Sequence, residues 1–187
     1  MKKRILAMTF AVMMAFGVAA CGGGSAQGGV DEAKAAEMQA QLQTYDAALT
    51  AEAAAEEGMF TIANGAVMSG QESWDAFMAG EKESVMLCQF SKNGGAMLDY
   101  VAKQEDGSYL VVSDLTRDGY EYEEKEDYQT QVFTEIKVFE NFTLQEGGTP
   151  YTVCVMTNDA KLDAATFLQY WKDLSYEDNG AFMLFVI

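Results

Sequence analysis

Three apolar runs separated by tight-turn signals constrain the fold of this chain more than any other feature. The runs cover 84–90, 96–103 and 108–114, and the breaks between them are Asn93-Gly94-Gly95 and Asp106-Gly107. Asn, Asp and Gly adopt the left-handed backbone that short hairpin turns need, and such turns join antiparallel neighbours. The sequence therefore predicts an antiparallel meander, and with it a fold built around a β-sheet.

Four more segments carry strand patterns on either side of this meander. They cover 59–63, 129–140, 151–157 and 181–187. The segment 129–140 alternates between apolar and polar residues, which is typical of a strand with one face in water. The segment 181–187 is apolar throughout, which predicts a strand inside the sheet with both faces covered.

Two short helices are predicted between the strands. Ser69-Gly70-Gln71-Glu72 has the pattern of a capping box that starts the first, and Gly80 ends it. The second follows a cap at Asn158 or Asp159. Their predicted buried residues are Trp74, Phe77 and Met78 in the first helix and Leu162, Phe167, Leu168, Trp171 and Leu174 in the second.

A longer helix is predicted over 31–57, ending at Gly58, because Ala, Glu and Gln dominate this stretch. Its apolar stripe consists of Met38, Leu42, Tyr45 and Leu49. Three alternatives stay open for this helix: it docks on the domain, serves as a stalk, or pairs in a coiled coil. The predicted fold class is α+β, a mainly antiparallel sheet of about six strands with two helices packed on it, preceded by the long N-terminal helix. Residues 58–187 form a single domain in this interpretation.

The N-terminal residues have the pattern of an export signal and are not predicted to be part of the folded domain. Lys2, Lys3 and Arg4 precede an apolar run that is shorter than the ~20 residues of a membrane-spanning helix. Val18-Ala19-Ala20-Cys21 follows, and this order resembles the lipobox of bacterial lipoproteins. The resemblance implies cleavage before Cys21 and a diacylglycerol on its thiol, so that acyl chains hold the protein on the outside of the cell membrane. Residues 1–20 are then a signal peptide, 21–29 the lipidated cysteine with a flexible tether, and 30–57 the helix.

The acidic charge and the missing histidine exclude several functions. The chain has 12 Lys and Arg against 29 Asp and Glu, a net charge of −17, and signal-peptide removal takes away three of the cations. Nucleic-acid binding needs clustered cations, so no nucleic-acid partner is predicted. Histidine, the commonest metal ligand and general base, is absent. No cofactor or metal is predicted.

The segment from Asp114 to Tyr120 is the candidate site. Arg117 is the one arginine beyond the predicted signal peptide, and it lies between Asp114 and Asp118. A guanidinium can bridge two carboxylates or accept a carboxylate from a partner. A structural clamp and a ligand or partner contact made by Asp114, Thr116, Arg117, Asp118 and Tyr120 therefore remain alternatives.

The same segment carries a resemblance to a known family. Asp114, Thr116, Arg117 and Asp118 match an Asp-x-Thr-Arg-Asp pattern, and Tyr151 to Cys154 match a Tyr-x-x-Cys pattern. Through these and the order of strands and glycines over about 60–158, the chain resembles a family of small Gram-positive lipoproteins of unknown function. It departs from that family at Lys92-Asn93-Gly94-Gly95, where the family has a Glu-Gly-Asp-Pro-like turn. The resemblance implies no activity.

An acidic run follows the candidate site. It contains Glu121, Glu123, Glu124, Glu126 and Asp127, with tyrosines between them. Its spacing is irregular, unlike the alternate carboxylates of an EF-hand loop. A solvated loop or edge strand is the main interpretation, and a weak cation site is the alternative.

Two cysteines beyond Cys21 and the absence of histidine limit the chemistry that this chain could perform. Cys88 and Cys154 lie in apolar strands, either joined by a disulfide or as two buried free thiols. Without histidine, a hydrolase would depend on a carboxylate pair, and no pair is marked. We therefore expect a non-catalytic binding module with a protein or small-molecule partner. An envelope hydrolase and a weak cation-binding module are the alternatives.

Overall fold

A computed structural model of the chain describes residues 29–90, 95–117, 127–145 and 147–187. The predicted signal peptide, Cys21 and residues 22–28 of the predicted tether lie outside these ranges. The described residues form an α+β fold, which confirms the predicted class. Two β-sheets stack face to face, with helices on the outer face of each.

The larger sheet has six strands in the order β2-β1-β3-β4-β5-β6. Its strands are β1 (Phe60–Ala63), β2 (Ala66–Ser69), β3 (Ser84–Phe90), β4 (Ala96–Lys103), β5 (Tyr109–Asp114) and β6 (Tyr128–Phe133). The predicted meander is β3-β4-β5, and its pairs are antiparallel. However, β1 and β3 are parallel, so the sheet is mixed. Parallel neighbours need a crossover, and here the chain makes it through β2 and a helix.

The smaller sheet consists of the last three strands, which the sequence analysis placed in the same sheet as the others. These are β7 (Glu135–Phe142), β8 (Tyr151–Thr157) and β9 (Ala181–Val186), paired antiparallel in the order β7-β8-β9. The predicted strand 129–140 is in fact split at Thr134 between β6 and β7. Asn158 stabilises this corner, because its Oδ1 accepts from the Thr134 amide at 3.0 Å and its Nδ2 donates to the Val132 carbonyl at 3.2 Å.

The prediction that the last strand lies inside a sheet is wrong, because β9 is an edge strand that pairs with β8 and with no other strand of the described residues. Its apolar character has another origin. Leu184 and Phe185 pack into the core between the sheets, and Ala181 packs into the core on the other face. An apolar run thus indicates that both faces of a strand are covered. It does not indicate how many strands lie beside that strand.

The predicted helix over 31–57 is also wrong as one element, because it is broken into α1 (Glu32–Leu42) and α2 (Ala51–Glu56). Two polar side chains favour the break. Asp46 Oδ1 accepts from the Ala48 amide at 2.7 Å, and Thr50 Oγ1 accepts from the Ala53 amide at 3.2 Å as the N-cap of α2. Of the three alternatives for this segment, the structure shows docking. The stripe predicted from Met38 to Leu49 packs on the larger sheet, although the helix is not continuous.

The two shorter helices differ from the prediction at their ends. In α3 (Gln71–Met78) the N-cap is Gly70, which makes no side-chain capping bond. Ser69, which was predicted to begin a capping box, is instead the last residue of β2. In α4 (Ala164–Lys172), the cap is Asp163, whose Oδ1 accepts from the Thr166 amide at 2.8 Å. Two residues predicted to be buried are exposed at the helix ends: Met78 by 43% and Leu174 by 83%.

The described residues form three hydrophobic cores between the layers. The inter-sheet core joins the larger sheet, α3 and the smaller sheet, with Phe60, Trp74 and Phe185 among its members. The second core lies between the larger sheet and α1 and α2. The third lies between the smaller sheet and α4, around the fully buried Phe167. The order of layers is therefore α1 and α2, the larger sheet with α3 on its inner face, the smaller sheet, and α4.

Gly70 gives a test of the close contact between α3 and β1. It has a φ of +75°, and a Cβ there would overlap the Met59 carbonyl. Gly80 has nearly the same φ, +76°, with no atom within 4 Å of a Cβ, so it is a matched control. We expect Gly80→Ala to cost about 1 to 2 kcal/mol from backbone conformation alone. Gly70→Ala should cost a further ~1 to 3 kcal/mol from the overlap. Chemical denaturation of both variants measures the difference, and equal losses would contradict this close packing of Gly70 on the Met59 carbonyl.

Candidate functional site

Three of the five residues of the candidate site are described by the structure, and they lie together. Asp114 ends β5, and Thr116 and Arg117 follow it on the face of the larger sheet that α1 covers. Asp118 and Tyr120 lie outside the described residues, as do residues 121–126 of the acidic run. The described part of the site is therefore centred on Asp114 and Arg117.

Arg117 connects the larger sheet to the chain between α1 and α2. Its Nη1 pairs with Asp114 Oδ2. Its Nη2 donates to the Tyr45 carbonyl at 2.8 Å and to the Leu42 carbonyl at 3.3 Å, and its Nε donates to the Asp46 carbonyl at 3.0 Å. These three carbonyls belong to the end of α1 and the residues that follow it. The guanidinium thus replaces the hydrogen bonds that a helix C-terminus lacks, and its charge interacts favourably with the helix dipole.

Asp114 is held in place by its own neighbours. Its Oδ1 accepts from the Thr116 amide at 2.9 Å and from Thr116 Oγ1 at 2.6 Å, while Oδ2 pairs with Arg117. The Asp114 side chain is fully buried and that of Arg117 is 5% exposed. Both carboxylate oxygens and most guanidinium hydrogens are therefore used within the fold. This geometry supports the structural clamp over the ligand contact for these residues.

A second buried polar cluster, which the sequence analysis missed, lies between the sheets. Asp99 of β4 is 5% exposed, and its Oδ1 accepts from Ser113 Oγ at 2.6 Å. Its Oδ2 accepts a longer bond, 3.3 Å, from Gln89 Nε2, which also donates to the Leu184 carbonyl at 2.7 Å. Burial raises the pKa of Asp99 to about 6, although both hydrogen bonds act to lower it. A signal was present in the sequence for Asp99 and Gln89, since each lies between two apolar or aromatic residues of its strand.

The two thiols are free in the structure, so the disulfide alternative is not realised. Cys88 belongs to the core under α1, and Cys154 belongs to the inter-sheet core. The two side chains thus lie in different layers, and no bond can join them without moving a strand. Burial raises the pKa of Cys88 to about 12, and it also raises the pKa of Cys154. Neither thiol is therefore suited to act as a nucleophile at neutral pH.

The buried carboxyls also bear on the alternative of a carboxylate-pair hydrolase. Asp99 pairs across the ladder with Ser113, and Leu98 pairs with Asp114. Successive strand residues point to opposite faces, so Asp99 faces the smaller sheet and Asp114 faces α1. These two carboxyls cannot act on one substrate. Within the described ranges, no group of three or more Cys, Asp or Glu side chains is arranged to hold a metal ion.

A shallow cleft of about 530 Å³ lies beside the start of α1. Its lining mixes both charges: Asp31, Lys34, Glu37, Glu83, Lys103 and Glu105. Lys34 Nζ donates to the Lys103 carbonyl at 2.7 Å across it. This contact attaches α1 to the end of β4, so the cleft is a feature of helix docking.

Comparisons with family models, with curated proteins and with solved structures find no match to this chain. Among the described helices, none has the length and apolar character needed to cross a bilayer.

The clamp predicts a large loss of stability when Arg117 is removed. Arg117→Ala would leave a buried carboxylate and the α1 carbonyls without their donor, which costs about 3 to 5 kcal/mol for a buried pair. Arg117→Lys should recover only part, because an ammonium cannot reach all of these acceptors in the same geometry. Adding Asp114→Asn to the alanine variant should restore some stability, because it removes the buried charge.

The control for this prediction is the other ion pair of the described residues. Lys137 Nζ lies 3.6 Å from Glu135 Oε2 in a half-exposed position. Lys137→Ala should therefore cost about 1 kcal/mol or less. Denaturant unfolding of all four variants gives the comparison. Equal effects of Arg117→Ala and Lys137→Ala would exclude the clamp.

Proposed function

We propose that this chain is a lipoprotein, anchored through Cys21 to the outside of the cell membrane, whose folded domain is a non-catalytic binding module of the cell envelope. The observation that carries this proposal is the sequence Val18-Ala19-Ala20-Cys21 directly after a short apolar segment. Two or more acyl chains on one cysteine anchor a protein stably, where a single chain does not.

The position of the first described residues supports the proposal. Gln104 attaches the first described residues to the domain, because its Nε2 donates to the Gly29 carbonyl at 3.4 Å and its Oε1 accepts from the Asp31 amide at 3.2 Å. Residues 22–28 are all that separates Cys21 from this point. Seven residues span at most roughly 25 Å. The β4–β5 turn would thus lie near the bilayer, and the opposite end of the domain would be presented to partners.

The chemistry of the buried groups supports a binding role over catalysis. The thiols are buried with raised pKa values, Arg117 is engaged by backbone carbonyls, and Asp99 and Asp114 lie on opposite faces of a sheet. The net charge of −17 favours a neutral or cationic protein, peptide or small ligand. The weak cation-binding alternative rests on the acidic run, most of which lies outside the described residues.

Cys21→Ala tests the anchor. We expect the variant to lose its acyl label, and to leave the detergent-extractable membrane fraction or accumulate as uncleaved precursor, because no thiol remains to receive the lipid. Ser25→Ala, in the same segment, is the matched control and should fractionate as wild type. Labelling with a fatty-acid analogue, followed by membrane fractionation, makes the measurement. Normal processing and membrane attachment of Cys21→Ala would defeat the anchor proposal.

Cross-linking in intact cells tests the binding role separately. The anchored wild-type protein should capture a defined partner or cell-wall fragment. Adding that molecule at a hundred times its dissociation constant should then stabilise the purified protein by about 2.7 kcal/mol. Capture without any stabilisation would indicate proximity on the membrane and argue against a binding module.

A further inference from the structure

The buried polar cluster between the sheets has a geometry that links them directly. Leu87 pairs with Asp99 across β3 and β4, and Asp99 pairs with Ser113 across β4 and β5. Side chains in such a row share one face, and Gln89 is on the same face two residues along β3. Asp99, Ser113 and Gln89 therefore point from the larger sheet into the inter-sheet core.

Gln89 reaches the smaller sheet at an irregular point of β9. Cys154 pairs with Phe185 and Val155 pairs with Met183, so Leu184 has no partner residue across the ladder. A β-bulge of this kind disrupts the ladder locally. The Leu184 carbonyl accepts from Gln89 Nε2 at 2.7 Å. Because the same nitrogen contacts Asp99 Oδ2, the carboxyl of one sheet is connected to the backbone of the other through one amide group.

The surroundings of Asp99 contain no compensating cation among the described residues. The ion pairs of those residues are Arg117 with Asp114, on the opposite face of the sheet, and Lys137 with Glu135. The titratable groups of the inter-sheet core are Cys154 from β8 and Tyr109 from β5, and α3 contributes Trp74 and Phe77. Cys88, on the reverse face of β3, is the other nearby titratable group. An ionised Asp99 would thus be a buried charge with two neutral donors as its partners.

The two protonation states of Asp99 have different consequences for this link. In the protonated state the cluster is neutral, and the 2.6 Å contact with Ser113 can be made in either direction, since a hydroxyl both donates and accepts. In the ionised state Asp99 is a buried charge on the face that the smaller sheet covers, and such a charge is stabilised by contact with water. Movement of β9 away from the larger sheet lets water reach the carboxylate, so ionisation favours opening.

We propose that Asp99, Gln89 and Ser113 form a pH-sensitive latch that docks β9 on the larger sheet when Asp99 is protonated and loosens β9 when Asp99 ionises. The latch does not depend on the lipid anchor or on the proposed binding role.

The direction of the pH effect follows from linkage. Burial raises the pKa of Asp99 from 3.8 to about 6, so the docked state binds the proton more tightly than an open state in which Asp99 is hydrated. The contribution to docking is therefore complete below about pH 4 and is lost as the pH rises through 6. A tether outside the cytoplasm would expose this latch to the pH of the surroundings.

Hydrogen exchange of the full-length protein in detergent tests the latch. The opening constant of a peptide covering 181–187, corrected for intrinsic exchange, should rise between about 10-fold and 25-fold from pH 4.5 to pH 7.5, the upper value following from a pKa of 3.8 in the open state and about 6 in the docked state. A peptide covering 96–103, in the middle of the larger sheet, should rise much less. An unchanged opening constant for 181–187, or an equal rise in both peptides, would overturn the proposal.

Three variants assign the effect to its residues. Asp99→Asn should remove the pH dependence of 181–187, because the amide does not ionise. Asp106→Asn is the matched control and should keep it, because the pKa of Asp106 is lowered by its bonds to Ser108 and lies outside the pH window. Ser113→Ala removes a donor to the carboxylate, so it should move the midpoint of the rise to higher pH even if Asp99→Asn fails to fold. Retention of the wild-type slope by Asp99→Asn, or of the wild-type midpoint by Ser113→Ala, would contradict the latch.

Discussion

The contact between the two sheets is the interaction on which the rest of the structure depends. The Phe185 ring of β9 lies 5.1 Å from the rings of Phe60 and Trp74, with edge-to-face geometry to both. Phe60 comes from the larger sheet and Trp74 from α3, so one residue of the smaller sheet contacts two elements of the other layer. A three-stranded sheet needs a packed hydrophobic face to be stable, and this contact provides it. The other face is closed by α4 through Phe167, which lies 5.8 Å from the Phe142 and Phe139 rings.

Polar groups determine how the layers are joined at their edges. On the outer side, Arg117 fixes the end of α1 to the end of β5 with a charged, buried set of hydrogen bonds. Between the sheets, Gln89 connects Asp99 to the bulge at Leu184. At the corner between β6 and β7, Asn158 supplies both a donor and an acceptor. Each of these side chains satisfies backbone groups that the regular ladders and helices leave free, because unpaired buried polar groups are costly.

Sequence patterns predicted single elements well and their arrangement poorly. The bounds of β3, β4 and β8 match the expected strands, since each is an apolar run ended by Gly, Asn or charged residues. The break at Thr134 could not be recognised, because the alternation of residues continues through it. Alternation reports which face a side chain occupies, and it carries no information on which sheet the strand joins. The second sheet was therefore invisible to sequence reasoning.

The candidate site shows the same limit. The chemistry of Arg117 and Asp114 was predictable, because a lone arginine among carboxylates forms an ion pair. Its partners in the α1 connection were not, since Leu42, Tyr45 and Asp46 contribute backbone carbonyls, which leave no trace in the sequence. Asp99 could have been noticed as a carboxyl within an apolar strand, although its link to Leu184 required the second sheet to be known.

The rest of the fold depends on the docking of the two sheets, and nuclear Overhauser contacts test this docking most directly. In the full-length protein, the ring protons of Phe185 should show cross-peaks to the rings of both Phe60 and Trp74, which lie in the other layer. Detection of both cross-peaks is the predicted result. A well-resolved Phe185 ring with cross-peaks to residues of β8 but to neither Phe60 nor Trp74 would contradict the stacked arrangement.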